Sequence, residues 1–526
     1  MNRLPGSPEK SRYFPLLRHR ILHRHVDQGW EGLVTRVQRL AIEAESLWHD
    51  DDRSQFVQHL GHALRSGAFL PNSPLLVNSG NDPRRLFACF AVDSRRSYDE
   101  FLSIVRKIHD GMGGVGYALD AHVTSTRTAD FVRRVDHDTV MHQDGRPRPA
   151  SCAVTASIDA PGSDALIELA GSLATTSLNV GISDDFMARD DREAAQKLYM
   201  LSRAIHQTGQ PGVVFTDRVP RIARDAGAPF ATNVCGEAPL AADESGLLGS
   251  INLVQCLARG DDGRFAFDEA RFTSLVRLAV RFLDGILDLH AHPHPLLRLN
   301  SLATRKIGVG VMGLAHFLAL LGVRYGDLES IEIATHVAAA LSGAAQEESK
   351  RLARARGRFP AWHAGLPVHR NASLAAIAGT STLALLTDTT GGIEPVFSHV
   401  IQLRVMGETI VALDPIVEFF GTLRGIAADE LKRRLLNDEP LSVVVGEDVA
   451  RVIPLAHELS GEQHIEVQAA FQRHIDGGIT KTLNCSSDSS IGDITRWLRL
   501  AHQRGCMGLT IYRDKARLNQ PMTMAG

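Results

Sequence analysis

Ala231-Thr-Asn-Val-Cys-Gly-Glu-Ala-Pro-Leu240 is the stretch on which the reading of this 526-residue chain turns. Asn233, Cys235 and Glu237 alternate in it. In an extended loop, residues at i, i+2 and i+4 face the same way, so carboxamide, thiol and carboxylate would converge on one point. That set suits one-electron chemistry at sulfur, with a carboxylate to move a proton and an amide to orient a substrate. The same residues also read as a plain turn, because Asn, Gly and Pro cluster in loops and a single cysteine is usually buried packing. On these residues alone both readings stay open.

The composition around this stretch is that of a globular, enzyme-sized protein: 44% hydrophobic, 22% charged, and 57 Lys+Arg against 60 Asp+Glu for a net charge of −3. Such a balance gives no basic excess for a nucleic-acid or membrane-surface partner, while leaving room for a local anion site. The six cysteines, at 89, 152, 235, 256, 485 and 506, never form a CxxC pair, which argues against a zinc cluster or a disulfide scaffold. Charges interrupt the N-terminal stretch MNRLPGSPEKSRYFPLLRHRILHRH, so it does not read as a signal peptide. The apolar run at 272–289 carries Arg277, Arg281, Asp284 and Asp288 and reads as a buried helix, not a membrane span. A reducing cytoplasm is the expected location.

Residues 1–70 form a first, helical region, with apolar residues at i, i+3 and i+4 over 34–48 and 56–67. Residues 71–526 form the second. There, short apolar runs alternate with longer helical periods. Candidate strands lie at 87–92, 212–217, 250–254 and 383–388, and candidate helices at 193–209, 271–289 and 311–322. Alternation of this kind implies βα units and a largely parallel sheet or barrel, an α/β fold.

An ordered series of motifs then becomes recognisable: PNSPLLVNSG (71–80), FACF (87–90), GMGGVGYALD (111–120), SDDFM (183–187), TGQPGVVFTDR (208–218), TNVCGEAPL (232–240), LLGSINL (247–253), RKIGVGVMGLAHFL (305–318), RNAS (370–373), GTSTLALLTDTTGGIEPVF (379–397), TKTLN (480–484) and GCMGLTIYRD (505–514). Over residues 70 to 515 the chain resembles the catalytic subunit of ribonucleotide reductases, in particular the adenosylcobalamin-dependent class. The resemblance implies a ten-stranded α/β barrel of two antiparallel five-stranded half-barrels, with a finger loop carrying Cys235 into its centre. It implies that Cys235 holds a thiyl radical that takes the ribose 3′ hydrogen, that Glu237 takes the 3′ hydroxyl proton, and that Asn233 holds the substrate. Ser73, Ala88, Cys89, Gly114, Val234, Gly236, Gly379, Thr380, Ser381, Thr382 and Leu383 fall on substrate-contacting positions. The 379–382 loop fits a phosphate on physical grounds too, offering backbone N–H groups and three hydroxyls.

The radical source implied is adenosylcobalamin. The chain's six tyrosines include no adjacent pair, and the tail RDKARLNQPMTMAG lacks a glycyl-radical signature; the Asp-x-His-x-x-Gly motif of cobalamin mutases is also absent, but this class does not use it. The partners implied are a ribonucleotide, an external reductant (small thiol, thioredoxin or formate) and a second copy of the chain as a homodimer.

Three departures from the family stand out. Cys89 occupies the first of two redox-thiol positions, but the second, eleven residues after Cys235, is Gly246, which has no thiol to give. Cys152 and Cys256 read as structural. The tail has no cysteine pair after Cys506, so an external reductant, or a radical reaction without net reduction, is expected. The stretch at 123–149 is shorter than the family's effector segment and ends in GRPRPAS (145–151), whose prolines stiffen a turn; little allosteric control is expected. His290, His292 and His294 alternate in HAHPHP and read as a solvated loop, and His19, His23 and His25 as a surface face; no protein-ligated metal is expected. Beside ribonucleotide reduction stand two alternatives: a radical nucleotide isomerase, epimerase or dehydratase, and a silent nucleotide-binding relative. Retention of Asn233, Cys235 and Glu237 together speaks against the silent one.

Overall fold

Three amphipathic helices, α1 (Phe14–Leu22), α2 (Gly29–Ser46) and α3 (Arg53–Ser66), open the chain, and α3 stops at Gly67, whose φ of 68° reverses the backbone. In this computed structural model the described residues are 7–22, 25, 28–48, 52–81, 84–119, 125–143, 148–220, 230–405, 408–516 and 522–524. Leu17, Ile21, Trp30, Leu33, Val37, Leu60 and Leu64 of these helices are buried in the same apolar core as the sheet that follows.

After β1 (Phe69–Pro71) and the short helix α4 (Ser73–Asn78), the strands β2 (Cys89–Ala91), β3 (Gly114–Ala118), β4 (Cys152–Ser157), β5 (Thr176–Ile182) and β6 (Gly212–Phe215) pair in parallel and in chain order. Helices connect them, as parallel pairing requires. The hairpin of β7 (Ala231–Thr232) and β8 (Pro239–Leu240) comes next, then β9 (Glu244–Asn252). An outer hairpin, β10 (Leu257–Arg259) and β11 (Phe265–Phe267), precedes β12 (Ile307–Met312). A second hairpin, β13 (Val400–Val405) and β14 (Glu408–Leu413), lies outside the main sheet, followed by β15 (Thr482–Cys485), β16 (Gly508–Arg513) and β17 (Met522–Met524).

β9 and β12 are parallel to each other, as are β15 and β16, and single parallel bridges Val309–Ala375 and Ile377–Ile479 link these two pairs through the segment 375–377. β2 meets β9 antiparallel and β6 meets β16 antiparallel. The result is a parallel set of five strands, β2 to β6, and an oppositely directed set of β9, β12, β15 and β16, between whose two pairs the segment 375–377 makes only isolated bridges. This is the expected α/β architecture, with the β7–β8 hairpin as its finger.

Close packing inside this ring dictates sequence. A Cβ at Gly116 of β3 would stand 1.9 Å from the Thr232 carbonyl oxygen of β7, so only glycine lets the finger reach the strand floor. The helix Glu269–Leu287, capped by the Asp268 side chain on the Arg271 N–H, buries Phe272, Val276, Leu283 and Ile286. It also buries charge. Asp284 accepts from Arg305 Nε at 2.9 Å and Asn371 Nδ2 at 3.0 Å, with Arg370 at 3.4 Å. Burial alone would raise its carboxyl, but Arg305, Arg370 and Arg356 outweigh it and hold the group below the usual range. Arg356 and Arg281 both reach Glu45 of α2, at 2.9 and 2.6 Å, which ties the N-terminal helices to the barrel.

Some elements differ from their sequence reading. The run at 383–388 is not a strand: Ser381–Leu386 is helical, and the strand-like bridging segment lies just upstream, at 375–377. Leu and Ala favour helix once Thr380, at φ 50°, has turned the chain. The helix expected over 311–322 begins only at Leu314, because Val311 and Met312 finish β12 and Gly313 breaks the run at φ 83°. His290 is not solvated: it is 2% exposed, stacks on Phe87 with ring centroids 4.0 Å apart, and accepts the Leu86 N–H at 2.8 Å. Burial and the neighbouring His292 keep it neutral. His19 is exposed, His25 lies 3.2 Å from the Asn81 side chain, and His23 is outside the described residues. In the 123–149 stretch Ser125–Met141 is a helix, while residues 123, 124 and 144–147 lie outside the described residues.

Replacing Asp284 with alanine removes, among the described residues, the one carboxylate paired with buried Arg370 and a second one from Arg305 and Arg356, which keep Asp288 and Glu45. The expected loss is about 3–5 kcal/mol in chemical denaturation, as for other broken buried ion pairs.

Candidate active site

The finger carries the three residues with which the sequence reading began. Asn233 N–H donates to the Ala238 carbonyl at 3.0 Å, Ala238 N–H returns to Asn233 Oδ1 at 2.9 Å, and Gly236 N–H donates to the Asn233 carbonyl at 3.1 Å. The tip is therefore a tight turn with Gly236 at φ 87°, not an extended loop. Convergence survives because the turn folds Glu237 back beside Asn233.

Asn233 Nδ2 donates to Cys89 Sγ at 3.1 Å, so the amide is committed through both its ends. Thr480 Oγ1 lies 2.7 Å from Glu237 Oε2 and 2.9 Å from the Cys235 carbonyl oxygen, sharing its hydroxyl hydrogen between them. Behind Thr480, Glu394 accepts the Thr482 N–H at 2.6 Å and pairs with buried Lys481 at 3.0 Å, anchoring the segment that holds the finger tip.

Two cavities meet at Cys235. One, about 300 Å³, is lined by Cys89, Asn233, Val234, Cys235 and Glu237 together with Ser73, Ala88, Gly114 and all of Gly379, Thr380, Ser381, Thr382 and Leu383. The structure thus assembles every sequence-derived site residue except Gly236 around one space of ligand size. Gly236 fronts the other cavity, about 440 Å³, where a Cβ on it would meet nothing within 4 Å. That second space is lined by Leu178, Val213, Phe397, Met507, Leu509 and the ring of Tyr512 among others, and shares Val234, Cys235 and Thr480 with the first.

The Cys235 side chain lines both spaces and is exposed to them, although protein atoms crowd around it. Burial, with the nearby Glu237 charge, pushes its thiol up to about 12. Burial, with Glu237 and Cys235, also pushes Cys89 well above its ordinary value. Both sulfurs are therefore neutral thiols, suited to giving up a hydrogen and poor as nucleophiles. Glu237 is raised by burial, against the opposing Thr480 hydrogen bond.

Among the lining residues of the first cavity that escaped the sequence reading, four bear on its chemistry. Thr480 lay in a quoted motif without a role. Arg148 lines the cavity and its charge bears on Cys89, Cys235 and Glu237, although its stretch was read for its prolines. Arg20 stands among the histidines and arginines read as a surface face, and Asn72 immediately precedes Ser73. Only folding shows that these four look inward.

Cys89 and Gly246 are direct partners across the antiparallel β2–β9 pair. Opposed residues in such a pair have Cα atoms about 4.5–5.5 Å apart and Cβ atoms on one face. A Cβ at Gly246 would meet its nearest neighbour, Leu240, at 3.7 Å, an ordinary contact. The second thiol is thus missing from a position that has space for it. Cys152 and Cys256 are wholly buried in the main core and Cys485 and Cys506 in another cluster, away from the apolar group around Cys89. All six cysteines are free, and among the described residues no group of three or more His, Cys, Asp or Glu is placed to hold a metal. Nor is any described helix long and apolar enough to cross a membrane.

The barrel domain of ribonucleotide reductases matches residues 187–369 and 365–512. The chain is 32% identical to a Mycobacterium tuberculosis protein named vitamin B12-dependent ribonucleoside-diphosphate reductase, covering 97% of this chain and 80% of that one. A Thermoplasma acidophilum protein of the same name is 31% identical over 89% of this chain and 66% of that one. In structure the chain resembles the class Id ribonucleotide reductase alpha subunit of Actinobacillus ureae, with a TM-score of 0.74, 19% identity, and coverage of 91% and 93%. The chain belongs to the ribonucleotide reductase family.

Gly246→Cys should restore a disulfide partner for Cys89. Thiol titration of the denatured, previously oxidised variant is expected to find five free thiols, against six in the wild type. Seven free thiols in the variant would show that the two positions are not within bonding reach.

Proposed function

We propose that this protein reduces ribonucleotides to 2′-deoxyribonucleotides through a thiyl radical on Cys235 generated with adenosylcobalamin. The observation that carries the reading is the convergence of a neutral thiol, a second neutral thiol, a carboxyl group and a committed carboxamide on one cavity, with a separate cavity reaching Cys235 from another side. The names of the vitamin B12-dependent relatives support the cofactor.

The larger cavity is the fitting place for that group. Its apolar lining, with Asn179, Gln210 and Asn484 as polar anchors, suits a nucleoside-sized moiety. Adenosylcobalamin, when bound, supplies a carbon-centred radical able to take the hydrogen atom of a thiol. Cys235, so converted, takes the 3′ hydrogen of the ribose, and Glu237 as carboxylate takes the 3′ hydroxyl proton. Cys89, kept protonated, gives its proton to the departing 2′ hydroxyl, which leaves as water. Loss of water leaves a 3′-keto radical centred on C2′. An external reductant supplies a hydrogen atom to C2′, one electron to the 3′ carbonyl and a proton that restores the Cys89 thiol. Glu237 gives its proton back to the 3′ oxygen, and Cys235 returns its hydrogen to C3′. The net change consumes two electrons and two protons per nucleotide. Because Gly246 faces Cys89, no dithiol spans this strand pair, so the electrons come from an external thiol, from thioredoxin or from formate.

Gly246 also favours a second reading, in which the same radical leads to isomerisation, epimerisation or dehydration without net reduction. Product analysis with a nucleotide panel separates them: 2′-deoxynucleotide formed with dithiothreitol or formate establishes reduction, and a rearranged or dehydrated product without reductant establishes the alternative.

Exchange of tritium between 5′-tritiated adenosylcobalamin and water should occur in the wild type and vanish in Cys235→Ser; unchanged exchange in the variant excludes the thiyl role. Glu237→Gln should abolish turnover. Because the carboxylate fraction grows with pH and burial raises Glu237, the acidic limb of kcat/KM should lie above the ordinary glutamate value of about 4.3. Thr480→Val removes the hydrogen bond that opposes that rise and should move the limb to higher pH.

A further inference from the structure

The N-terminal helix α1 reaches the substrate-sized cavity. It packs against α4 and against the helix Ser381–Leu386, the two elements that bring Ser73 and the 379–383 loop to the cavity. At its start, Ser11 Oγ donates to the Leu385 carbonyl at 2.6 Å and Arg12 Nη1 to the Leu413 carbonyl at 3.1 Å. The contact at Leu385 sits at the far end of the Ser381–Leu386 helix. The other end of α1 carries Arg20 to the mouth of the same cavity, where Ser381 and Thr382 stand.

Arg20 has no carboxylate within ion-pair distance among the described residues, and the one charge acting on it is that of Arg148. Burial together with that like charge depresses its guanidinium below the usual value. Arg148 shares the cavity with Glu237, whereas Arg20, beside a like charge and with no carboxylate of its own, is unfavourably placed unless an anion enters. A second, independent feature lies beside them: both side-chain polar atoms of Asn72 are buried and unpartnered, at a position that lines the cavity. An orphaned amide of this kind costs stability unless a ligand satisfies it.

We propose that Arg20 and Asn72 bind the phosphate groups of the ribonucleotide, so that the N-terminal helical region completes the substrate site and sets its preference for phosphorylated over unphosphorylated ribose. Arg20 supplies charge-assisted donors to phosphate oxygens and Asn72 an amide donor, next to the backbone and hydroxyl donors of residues 379–382. Both are specificity residues. Neither takes part in the chemistry at sulfur, and the inference rests on the reading of this cavity as a ribonucleotide site.

The test is calorimetric binding of the full chain to the four ribonucleosides and their mono-, di- and triphosphates, without cofactor or turnover. Wild type should bind phosphorylated members more tightly than the nucleosides. Arg20→Gln should weaken nucleotide binding about tenfold or more, the loss expected of one charge-assisted contact, while changing nucleoside binding less than about twofold. Arg20→Lys should recover part of the loss, and Asn72→Ala should weaken nucleotides selectively. Unchanged nucleotide affinity in Arg20→Gln, or equal loss for nucleoside and nucleotide, overturns the phosphate role while leaving the reductase reading intact. A wild type that binds no member of the panel overturns both.

Discussion

The close approach of the Thr232 carbonyl to Gly116 is the contact on which the catalytic end depends, because it lets the β7–β8 hairpin stand inside the ring of strands. Any side chain at Gly116 would push the hairpin off the floor, and with it the tip that presents Cys235. From that one contact the remaining geometry follows. The tip turn sets Glu237 beside Asn233, Asn233 reaches Cys89 on β2, and Thr480 closes on the tip from the opposite half-barrel. Chemistry at sulfur asks for a thiol that a ligand can reach, and the finger tip presents Cys235 to two cavities.

Burial has a second consequence. Desolvated by the surrounding protein and with a carboxyl group nearby, both thiols stay protonated, which disfavours nucleophilic chemistry and favours transfer of hydrogen. The same environment sets limits on reduction. Where Cys89 faces Gly246, the strand pair offers one sulfur instead of two, and a Cβ added at Gly246 would make only ordinary contacts.

Outside the site, a buried network of Glu45, Arg281, Asp284, Arg305, Arg356 and Arg370 joins the N-terminal helices to the barrel helices. Charges this deep are stable only as a connected set, so the N-terminal region and the barrel are coupled through electrostatics as well as through a shared apolar core. Within that region α1 packs on α4 and on the Ser381–Leu386 helix and brings Arg20 to the cavity.

Much of this was legible in the linear chain. The alternation of short apolar runs with helical periods carried the α/β class, and the order of the motifs carried the barrel, the finger and the identities of Cys235, Glu237, Asn233 and Cys89. Local signals failed where the surroundings outvoted propensity: 383–388 became helix after the turn at Thr380, and His290, polar and among prolines, was drawn under Phe87. What the sequence by itself determined is chemical identity and local geometry: which side chains exist, where a glycine permits a turn, and that no thiol stands at 246. Only the tertiary structure decided which of those side chains share a space. Gly246 lies opposite Cys89 through strand register, Thr480 reaches Glu237 across 243 residues of chain, and Arg20, Asn72 and Arg148 turn inward because helix and strand packing, which acts between residues remote in sequence, leaves them no other face.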